Sequence, residues 1–348
     1  MNPLNSKCPN CGAPIKYNED TKKWECIYCG SKYSLEEMEK YDSINFKSNL
    51  TIETAQGLRK RLEQLNLYQC TNCGSKVMGD DLTSLNACIY CGSENITKTK
   101  TNDGVAPTKL IPFKISEEEA LKKFEELAKN KPLLPQLFYN IDNTERITGV
   151  YIPFWVYDFD ISGKMSFIAT DTTTWSKGFY KYEKIDRYSS RKEGQMSFKE
   201  IPSVATSYID ANLIDLLEPY NYNEFVDYNH VYTSGHLIEM YNTESNQNIE
   251  RTKNRAIEAS SEIMKDSVKH QVKNIDKKEF TAKKTHEDYV LLPIWLANVK
   301  YKGKIYTIAM NGQTGKIATN LEPNKRKIIT IASIVFIIIF FITFLIVL

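Results

Sequence analysis

The sequence lacks the short motifs that mark the common catalytic sites. It contains no GxGxxG, GxxxxGK[ST], HExxH or GxSxG, so phosphate-binding loops, zincin sites and nucleophile elbows are not expected. Histidine is scarce, with four residues, of which His230 and His236 are the only close pair. No cysteine or acidic ligand set lies near them, and we expect both on a sheet surface. The chain is therefore predicted not to be an enzyme.

Asp158 and Asp160 suggest an alternative. They are separated by one residue along a predicted strand and so point to the same side, where they could act as acid and base or bind a cation. Solvated carboxylates on an outer sheet face are the commoner arrangement, and we prefer it. A hydrolase or metal-dependent enzyme centred on this pair is the third hypothesis for the function.

Neither sign of charge is in excess. The 348 residues include 45 Lys and Arg and 43 Asp and Glu, a formal charge of +2, which gives no general reason to bind nucleic acid. A hydrophobic fraction of 42% and a charged fraction of 25% are typical of globular chains, and the length allows two or three domains. Met1–Asn10 lacks the apolar core of a signal peptide. We therefore expect reduced thiols rather than disulfides.

All eight cysteines lie between residues 8 and 91, in two copies of one pattern. In each copy fourteen residues separate two CxxC pairs, and every cysteine recurs 62 positions later. The flanks recur too, since Ile27-Tyr28-Cys29-Gly30-Ser31 matches Ile89-Tyr90-Cys91-Gly92-Ser93. The spacing predicts two zinc ribbons. The expected ligands are Cys8, Cys11, Cys26 and Cys29 in the first ribbon and Cys70, Cys73, Cys88 and Cys91 in the second.

Two CxxC turns brought together place four thiolates in a tetrahedron, which suits Zn²⁺. The glycine after the second cysteine of each pair permits the tight turn that this requires. Rubredoxin-like iron uses similar loops and is an alternative metal. Disulfides and a CxxC redox pair are disfavoured, because each pair has a partner pair at metal spacing. Four cysteine ligands leave no position for water or substrate, so both zinc ions are predicted to be structural.

The charge around the ribbons argues against a nucleic-acid partner. Residues 1–100 hold 13 Lys and Arg and 12 Asp and Glu, and eight thiolates with two Zn²⁺ bring the balance to about −3. A duplex-binding module is expected to have a basic face. Lys22, Lys23, Trp24 and Tyr28 could form a small stacking surface, although the ribbon's own apolar face is the preferred interpretation. We predict protein partners and no small-molecule substrate.

Residues Ile328–Leu348 contain no charge and three polar side chains. At 1.5 Å per residue they extend roughly 30 Å, the thickness of a bilayer's hydrocarbon. A buried core helix is the alternative, disfavoured because such a helix would have no polar face. Lys325-Arg326-Lys327 precedes the segment. The sequence therefore predicts a tail-anchored, single-pass cell-membrane protein with residues 1–327 in the cytoplasm.

A second repeat spans the middle of the chain. Pro153-Phe154-Trp155 matches Pro293-Ile294-Trp295 at an offset of 140, and Gly163-Lys164 matches Gly303-Lys304. Each copy is predicted to be a helix followed by a hairpin that turns at Gly-Lys. The predicted fold class is α+β, with two zinc ribbons, a duplicated helix-plus-β-hairpin domain and one transmembrane helix. The predicted domains are zinc ribbon 1 (1–33), a helical linker (34–69), zinc ribbon 2 (70–96), the duplicated domain (107–322) and the transmembrane helix (328–348).

Together these features resemble a known family. The paired ribbons, Tyr151-Ile-Pro-Phe-Trp155, Leu292-Pro-Ile-Trp295 and Asn311-Gly-Gln-Thr-Gly315 before a terminal apolar segment are similar to the bacterial membrane proteins called TFIIB-type zinc ribbon-containing, the YdjG-like family. The resemblance implies a non-enzymatic anchor or adaptor whose genomic company, and hence candidate partners, includes flotillin-like (SPFH) and phage-shock-protein-A-like proteins of the envelope stress response. It implies no catalytic residues, so the eight cysteines are the predicted site.

We expect an adaptor that is fixed to the membrane by Ile328–Leu348 and recruits protein partners from the cytoplasm. A membrane-tethered regulator that binds nucleic acid or polymerase through the ribbons is the alternative. The two differ in salt dependence, because phosphate contacts would make binding fall steeply as the salt concentration rises.

Overall fold

The structure of the protein is a computed structural model. It describes residues 8–11, 13, 15–18, 21–34, 36–38, 66–79, 85–99, 107–130, 147–301, 304–320 and 325–347. Most of the predicted helical linker at 34–69 lies outside these residues. The strands are β1 Ile15–Asn18, β2 Lys23–Cys26, β3 Lys32–Tyr33, β4 Asn66–Cys70, β5 Lys76–Gly79, β6 Ile96–Thr99, β7 Lys109–Leu110, β8 Ile147–Lys177, β9 Tyr180–Val204, β10 Val226–Asp227, β11 Leu237–Glu239, β12 Gln271–Tyr301, β13 Lys304–Asn311 and β14 Ile317–Thr319. The helices are α1 Glu117–Asn130, α2 Ala211–Asp215, α3 Ser245–Asp266 and α4 Lys325–Val347.

The chain forms two compact units. Unit 1 contains Met1–Pro153, Thr206–Met240 and Leu291–Leu348, and unit 2 contains Phe154–Ala205 and Tyr241–Val290. The strands β8 and β12 contribute residues to both units, because each is 31 residues long. Both predicted ribbons belong to unit 1.

Ribbon 1 contains a three-stranded antiparallel sheet in the order β1-β2-β3. Burial alternates along its first two strands. Ile15 and Tyr17 of β1 and Trp24 and Cys26 of β2 are buried, and their neighbours are more exposed. Side chains on a strand point to opposite faces in turn. One face of ribbon 1 is therefore apolar, and it joins the core of unit 1.

The strands of ribbon 2 are part of the large sheet. The strand order is β10-β7-β12-β8-β11-β5-β4-β6, with β13 paired to β12, β14 to β13 and β9 to β8. β11 makes the connection to the ribbon, because it pairs antiparallel with β5, Ile238 opposite Met78, and parallel with β8, Ile238 opposite Tyr151. The sheet is therefore mixed, and ribbon 2 extends it.

Aromatic rings fill the core of unit 1 around Trp295. Its ring centroid lies 5.0 Å from that of Phe113 and 5.7 Å from that of His236, and its Nε1 donates to the Ile115 carbonyl at 2.9 Å. The ring of His236 stacks on Phe113 at 4.2 Å and is buried. The expectation of a sheet-surface histidine is therefore wrong for His236, while the side chain of His230 lies outside the described ones.

In unit 2, β8 and β9 form one long hairpin. It is paired from Phe154 opposite Val204 to Lys177 opposite Tyr180. The strands are joined at Gly178, whose φ of 61° is in the left-handed region that glycine adopts without strain. α3 lies against β9. The core of this unit contains Trp155, Tyr157, Phe159, Ile161, Ala205, Ala256 and Tyr289.

The two copies of the predicted repeat differ in local structure. In the second copy β12 ends at Tyr301 and β13 begins at Lys304, as a hairpin requires. In the first copy Gly163 lies inside β8, opposite Gly194 of β9. A Cβ at Gly163 would overlap the ring of Phe280, so this glycine allows a close approach rather than a turn. The predicted α+β class with a duplicated helix-plus-β-hairpin domain is therefore wrong, because the described residues form mostly one large mixed sheet with few helices.

Among the described residues, no helix is both long enough and apolar enough to cross a membrane. This finding contradicts the predicted transmembrane helix at Ile328–Leu348. It also contradicts the tail-anchored topology, the membrane as a partner, and the single-pass localisation with residues 1–327 in the cytoplasm.

Candidate metal centres

The first candidate centre is the set Cys8, Cys11, Cys26 and Cys29, whose Sγ atoms all lie within 4.8 Å of one another. The Sγ of Cys8 is 3.4 Å from that of Cys29, and the Sγ of Cys11 is 3.5 Å from that of Cys26. Cys26 is the last residue of β2, and Cys29 comes from the turn that follows. Cys8 and Cys26 are buried, whereas Cys11 and Cys29 are exposed.

The second candidate centre is the set Cys70, Cys73, Cys88 and Cys91, with the same limit of 4.8 Å between any two Sγ atoms. The Sγ atoms of Cys70 and Cys91 are 3.6 Å apart, as are those of Cys73 and Cys88. Cys70 ends β4. Cys70 and Cys88 are buried and the other two are half-buried, so this centre is more enclosed than the first.

The distances fit a metal ion in both sets. Sulfurs at the corners of a tetrahedron around Zn²⁺, with Zn–S of about 2.3 Å, are about 3.8 Å apart. A disulfide would require about 2.05 Å between sulfurs, and all eight thiols are free. The structure thus brings each predicted quartet together, in two groups that could hold metal ions. A bound ion would cross-link each ribbon, which has few strands to stabilise it.

The turns at the two centres have nearly the same backbone. The Gly30 N–H donates to the Cys26 carbonyl at 2.9 Å, and the Gly92 N–H donates to the Cys88 carbonyl at 2.9 Å. The φ angles are 69° at Gly30, 65° at Gly92 and 81° at Gly74, which a residue with a Cβ rarely adopts. The predicted role of glycine after the second cysteine is confirmed at these three positions.

Hydrogen bonds favour the thiolate at the last cysteine of each set. The Ser31 hydroxyl lies 3.1 Å from the Sγ of Cys29, and hydrogen bonds with Ser31 lower the pKa of Cys29 to about 6. Partial burial opposes the ionisation of Cys91, but hydrogen bonds from the Asn72 side chain, at 3.5 Å, and the Ser93 backbone lower its pKa to about 7. The thiolate is the form that binds a metal, so both sets have a ready ligand near neutral pH.

Ribbon 1 is attached to the rest of unit 1 through its sheet. Trp24 Nε1 donates to the Val231 carbonyl at 2.9 Å, and its ring lies 5.7 Å from the ring of Tyr232. The Ser234 hydroxyl donates to the Ile15 carbonyl at 2.9 Å. Trp24 is therefore a core residue, as the preferred interpretation held, and does not contribute to an exposed stacking surface.

Ribbon 2 contacts the rest of unit 1 through one of its cysteine-bearing turns, in addition to the pairing of β5 with β11. We call Ile89 and Tyr90, which lie between its third and fourth cysteines, the ribbon 2 turn. The Tyr90 hydroxyl donates to Glu239 Oε2, and the Tyr90 ring stacks on Tyr208 at 5.9 Å. Asn298 Nδ2 donates to the Ile89 carbonyl. The two ribbons thus use different surfaces to pack on the same unit.

Glu239 is a buried carboxyl that sequence analysis did not single out. It lies on β11 opposite Val77, is fully buried, and burial raises its pKa to about 7. Oε1 accepts from the Thr206 hydroxyl at 2.6 Å, and Oε2 accepts from Tyr90. Tyr90 and Glu239 are 149 residues apart. No local motif signals the pair, because only the tertiary fold brings it together.

Asp158 and Asp160 each bond to β9 within unit 2. Asp158 Oδ1 accepts from the Glu200 N–H at 2.8 Å, and Asp160 Oδ1 accepts from the Ser197 hydroxyl at 2.7 Å. The Asp158 bond lies at a shift in the register of the β8–β9 hairpin, between Tyr157 and Phe159, where it satisfies a backbone donor that the ladder leaves over, whereas Asp160 and Ser197 are directly opposite each other. Neither residue belongs to a group in the described part of the chain that could hold a metal ion.

The fold and the cysteine sets define a β-rich protein with two four-cysteine centres. No protein-family model matches the chain, and no solved structure matches it. The chain is similar to the uncharacterized protein YdjG of Bacillus subtilis (strain 168), with 28% identity over 337 residues that cover 93% of this chain and 92% of that protein. It is thus a distant homologue of YdjG along almost its full length. This supports the likeness to YdjG that the sequence indicated.

Proposed function

We propose that this protein is a non-enzymatic adaptor that contains two structural zinc ions and binds protein partners through the end of its β8–β9 hairpin. The observation that carries the proposal is a set of exposed aromatic side chains at that end. We call this set the hairpin patch, and it consists of Trp175, Phe179, Tyr180 and Tyr182.

The strand register places most of the hairpin patch on one face. Trp175 is opposite Tyr182, and their rings stack at 5.6 Å with an angle of 10° between planes. Tyr180 and Tyr182 are two residues apart along β9 and so share a side of the strand. Phe179 is fully exposed beside the turn. Exposed apolar patches of this kind mark interaction sites, and Tyr and Trp are the side chains most common in binding hot spots.

Charge indicates the kind of partner. Residues 171–192 contain six Lys and Arg and three Asp and Glu. A basic surface with aromatic side chains suits a partner whose surface is acidic, because complementary charge steers association. The same combination favours one second candidate, single-stranded nucleic acid, whose bases stack on aromatic rings while basic groups follow its phosphates.

Zinc is the metal that we propose for both centres. Tetrahedral sites with four sulfur donors hold zinc or iron, and closed four-cysteine sites are typical of structural zinc. The donors of each set are all cysteine sulfurs, so an ion held by the four has no open position for a substrate. Metal analysis of the purified protein should find two zinc ions per chain, and the absorption bands of ferric thiolate would instead assign iron.

The test of the adaptor is partner capture by cross-linking and mass spectrometry, with the full-length protein and a Trp175→Ser/Phe179→Ser variant. The variant should lose its partners and keep its thermal stability, because both side chains are exposed. Leu216→Ser is the matched control, since Leu216 is exposed elsewhere on the chain. This control variant should retain its partners. Retention of all partners by the hairpin variant would refute the proposal. Loss of binding on nuclease treatment, with a steep salt dependence, would favour the second candidate.

A further inference from the structure

The same Ile-Tyr dipeptide is covered in ribbon 2, where Ile89 is buried and Tyr90 half-buried, and exposed in ribbon 1. Ile89 of the ribbon 2 turn is 7% exposed. Its counterparts in the repeat, Ile27 and Tyr28, which we call the ribbon 1 turn, are 67% and 75% exposed. The Ile-Tyr pair recurs in both ribbons, so the contacts of the covered pair identify a surface that such a pair can pack against. The covered copy therefore shows what kind of surface the exposed copy fits.

The two turns have the same backbone hydrogen bonds. The Cys26 N–H donates to the Ser31 carbonyl at 2.9 Å, and the Cys88 N–H donates to the Ser93 carbonyl at 2.8 Å. The glycine bonds that close the turns have the same length and similar φ angles, as described above. Because each turn lies between two metal-binding cysteines, it is short and held at both ends. Binding by such a turn loses little conformational freedom.

Three groups of unit 1 cover the ribbon 2 turn, and each recognises a different part of it. The Glu239 carboxylate accepts from the Tyr90 hydroxyl, the Tyr208 ring stacks on the Tyr90 ring, and Asn298 donates to the Ile89 carbonyl. The ribbon 1 turn carries the same hydroxyl, ring and carbonyl. Its own ribbon is attached through Trp24 and Ile15, on the sheet, which leaves the turn outside that contact.

We propose that the ribbon 1 turn is a docking surface for a partner protein that presents a buried carboxylate beside an aromatic ring, with an amide donor next to them. A second copy of this chain does not supply that surface, because its own ribbon 2 turn already occupies it. The partner's carboxylate accepts a hydrogen bond from the Tyr28 hydroxyl, its ring stacks on the Tyr28 ring, and its amide donates to the Ile27 carbonyl. The ribbon 1 turn and the hairpin patch share no residue, and the inference does not depend on that patch.

The first experiment maps what lies against the turn. Benzoylphenylalanine is placed at position 27 of the full-length protein and irradiated in cells, and the cross-linked peptides are identified. Position 23, exposed at the other end of β2, is the control. The inference requires cross-links from position 27, and not from position 23, to another protein. The inference would be overturned by cross-links that stay within this chain, that reach a second copy distinguished by isotope labelling, or that reach RNA. The absence of any cross-link from position 27 would also overturn it.

The second experiment tests the chemistry with the purified cross-linked protein and the full-length chain. Tyr28→Phe keeps the ring and removes the donor, and should weaken binding about 10-fold or more, as expected for a hydrogen bond to a charged group. Replacing the carboxylate next to the cross-link by its amide should have a similar effect. Binding that is unchanged by either substitution would overturn the inference. Tyr180→Phe is the control, because Tyr180 belongs to the hairpin patch. Weaker binding of Tyr28→Phe alone concerns this inference, and weaker binding of Tyr180→Phe alone concerns the proposed function.

Discussion

Replacing Glu239 by Gln tests the buried carboxyl under the ribbon 2 turn and should remove a pH dependence of stability. Both carboxyl oxygens accept hydrogen bonds, from Thr206 at 2.6 Å and from Tyr90. Burial raises the pKa of Glu239 from 4.5 to about 7. Glutamine has the same shape, can accept from Thr206 and donate to the Tyr90 oxygen, and does not ionise.

The sign follows from proton linkage. A carboxyl with a higher pKa in the folded state binds more protons there, so its contribution to stability is fully present below pH 4.5 and is lost as the pH rises through about 7. At 1.36 kcal/mol per pH unit, the whole change is on the order of 3 kcal/mol. About 1 kcal/mol of it falls between pH 6 and pH 8. Wild type should therefore lose stability relative to Glu239→Gln over that range.

The assay is thermal unfolding of both proteins at pH 6, 7 and 8 with the same zinc loading. Between pH 6 and pH 8 the Tm difference should move in favour of Glu239→Gln by about 2–4 °C. Glu224→Gln is the control, because a hydrogen bond from Lys114 lowers the pKa of Glu224 and keeps it ionised throughout. Its Tm difference from wild type should be constant. A constant difference for Glu239→Gln as well, or a shift in the opposite direction, would refute the reasoning.

Three further substitutions test other parts of the structure. Cys88→Ser should leave one zinc ion per chain instead of two by metal analysis, because the loss of one thiolate opens the tetrahedron. Trp24→Ala should cost about 3–5 kcal/mol, since the buried ring also donates to the Val231 carbonyl, and hydrogen exchange should show faster opening in β1 and β2 than in β4. Gly163→Ala should destabilise unit 2, because its Cβ overlaps the Phe280 ring. Adding Phe280→Ala should recover part of that loss, and purely additive effects would show that the ring is not the obstacle.

The cysteine spacing contained most of the information about the candidate site. Three of the CxxC pairs are followed by a glycine at positive φ, namely Gly30, Gly74 and Gly92, so local geometry decides their form. The repeat then indicated which pairs belong together, and the structure brings all eight sulfurs into two groups. Such local rules carry no information about where a ribbon packs.

Features that depend on distant parts of the chain could not be predicted in this way. Gly163 and Gly303 match in the repeat, but glycine permits both turns and close contacts, and the choice at Gly163 depends on Phe280, which is far along the chain. Glu239 is one acidic residue among many in the sequence. Its burial follows from β11 pairing with both β5 and β8, which no periodicity in three residues could indicate.

The repeat also shows how one small module can have two roles. In ribbon 2 the turn between the third and fourth cysteines is part of the attachment, beside the pairing of β5 with β11, so we expect metal loss there to separate Tyr90 from Glu239 and leave the buried carboxyl without one of its two donors, which is costly. In ribbon 1 the attachment is made by Trp24 and the strand at Ile15, outside the turn. Metal loss there should disturb the exposed Ile27 and Tyr28 and leave the core contact in place. An ion in the second centre would thus support unit 1, whereas an ion in the first would hold the surface that we propose for a partner.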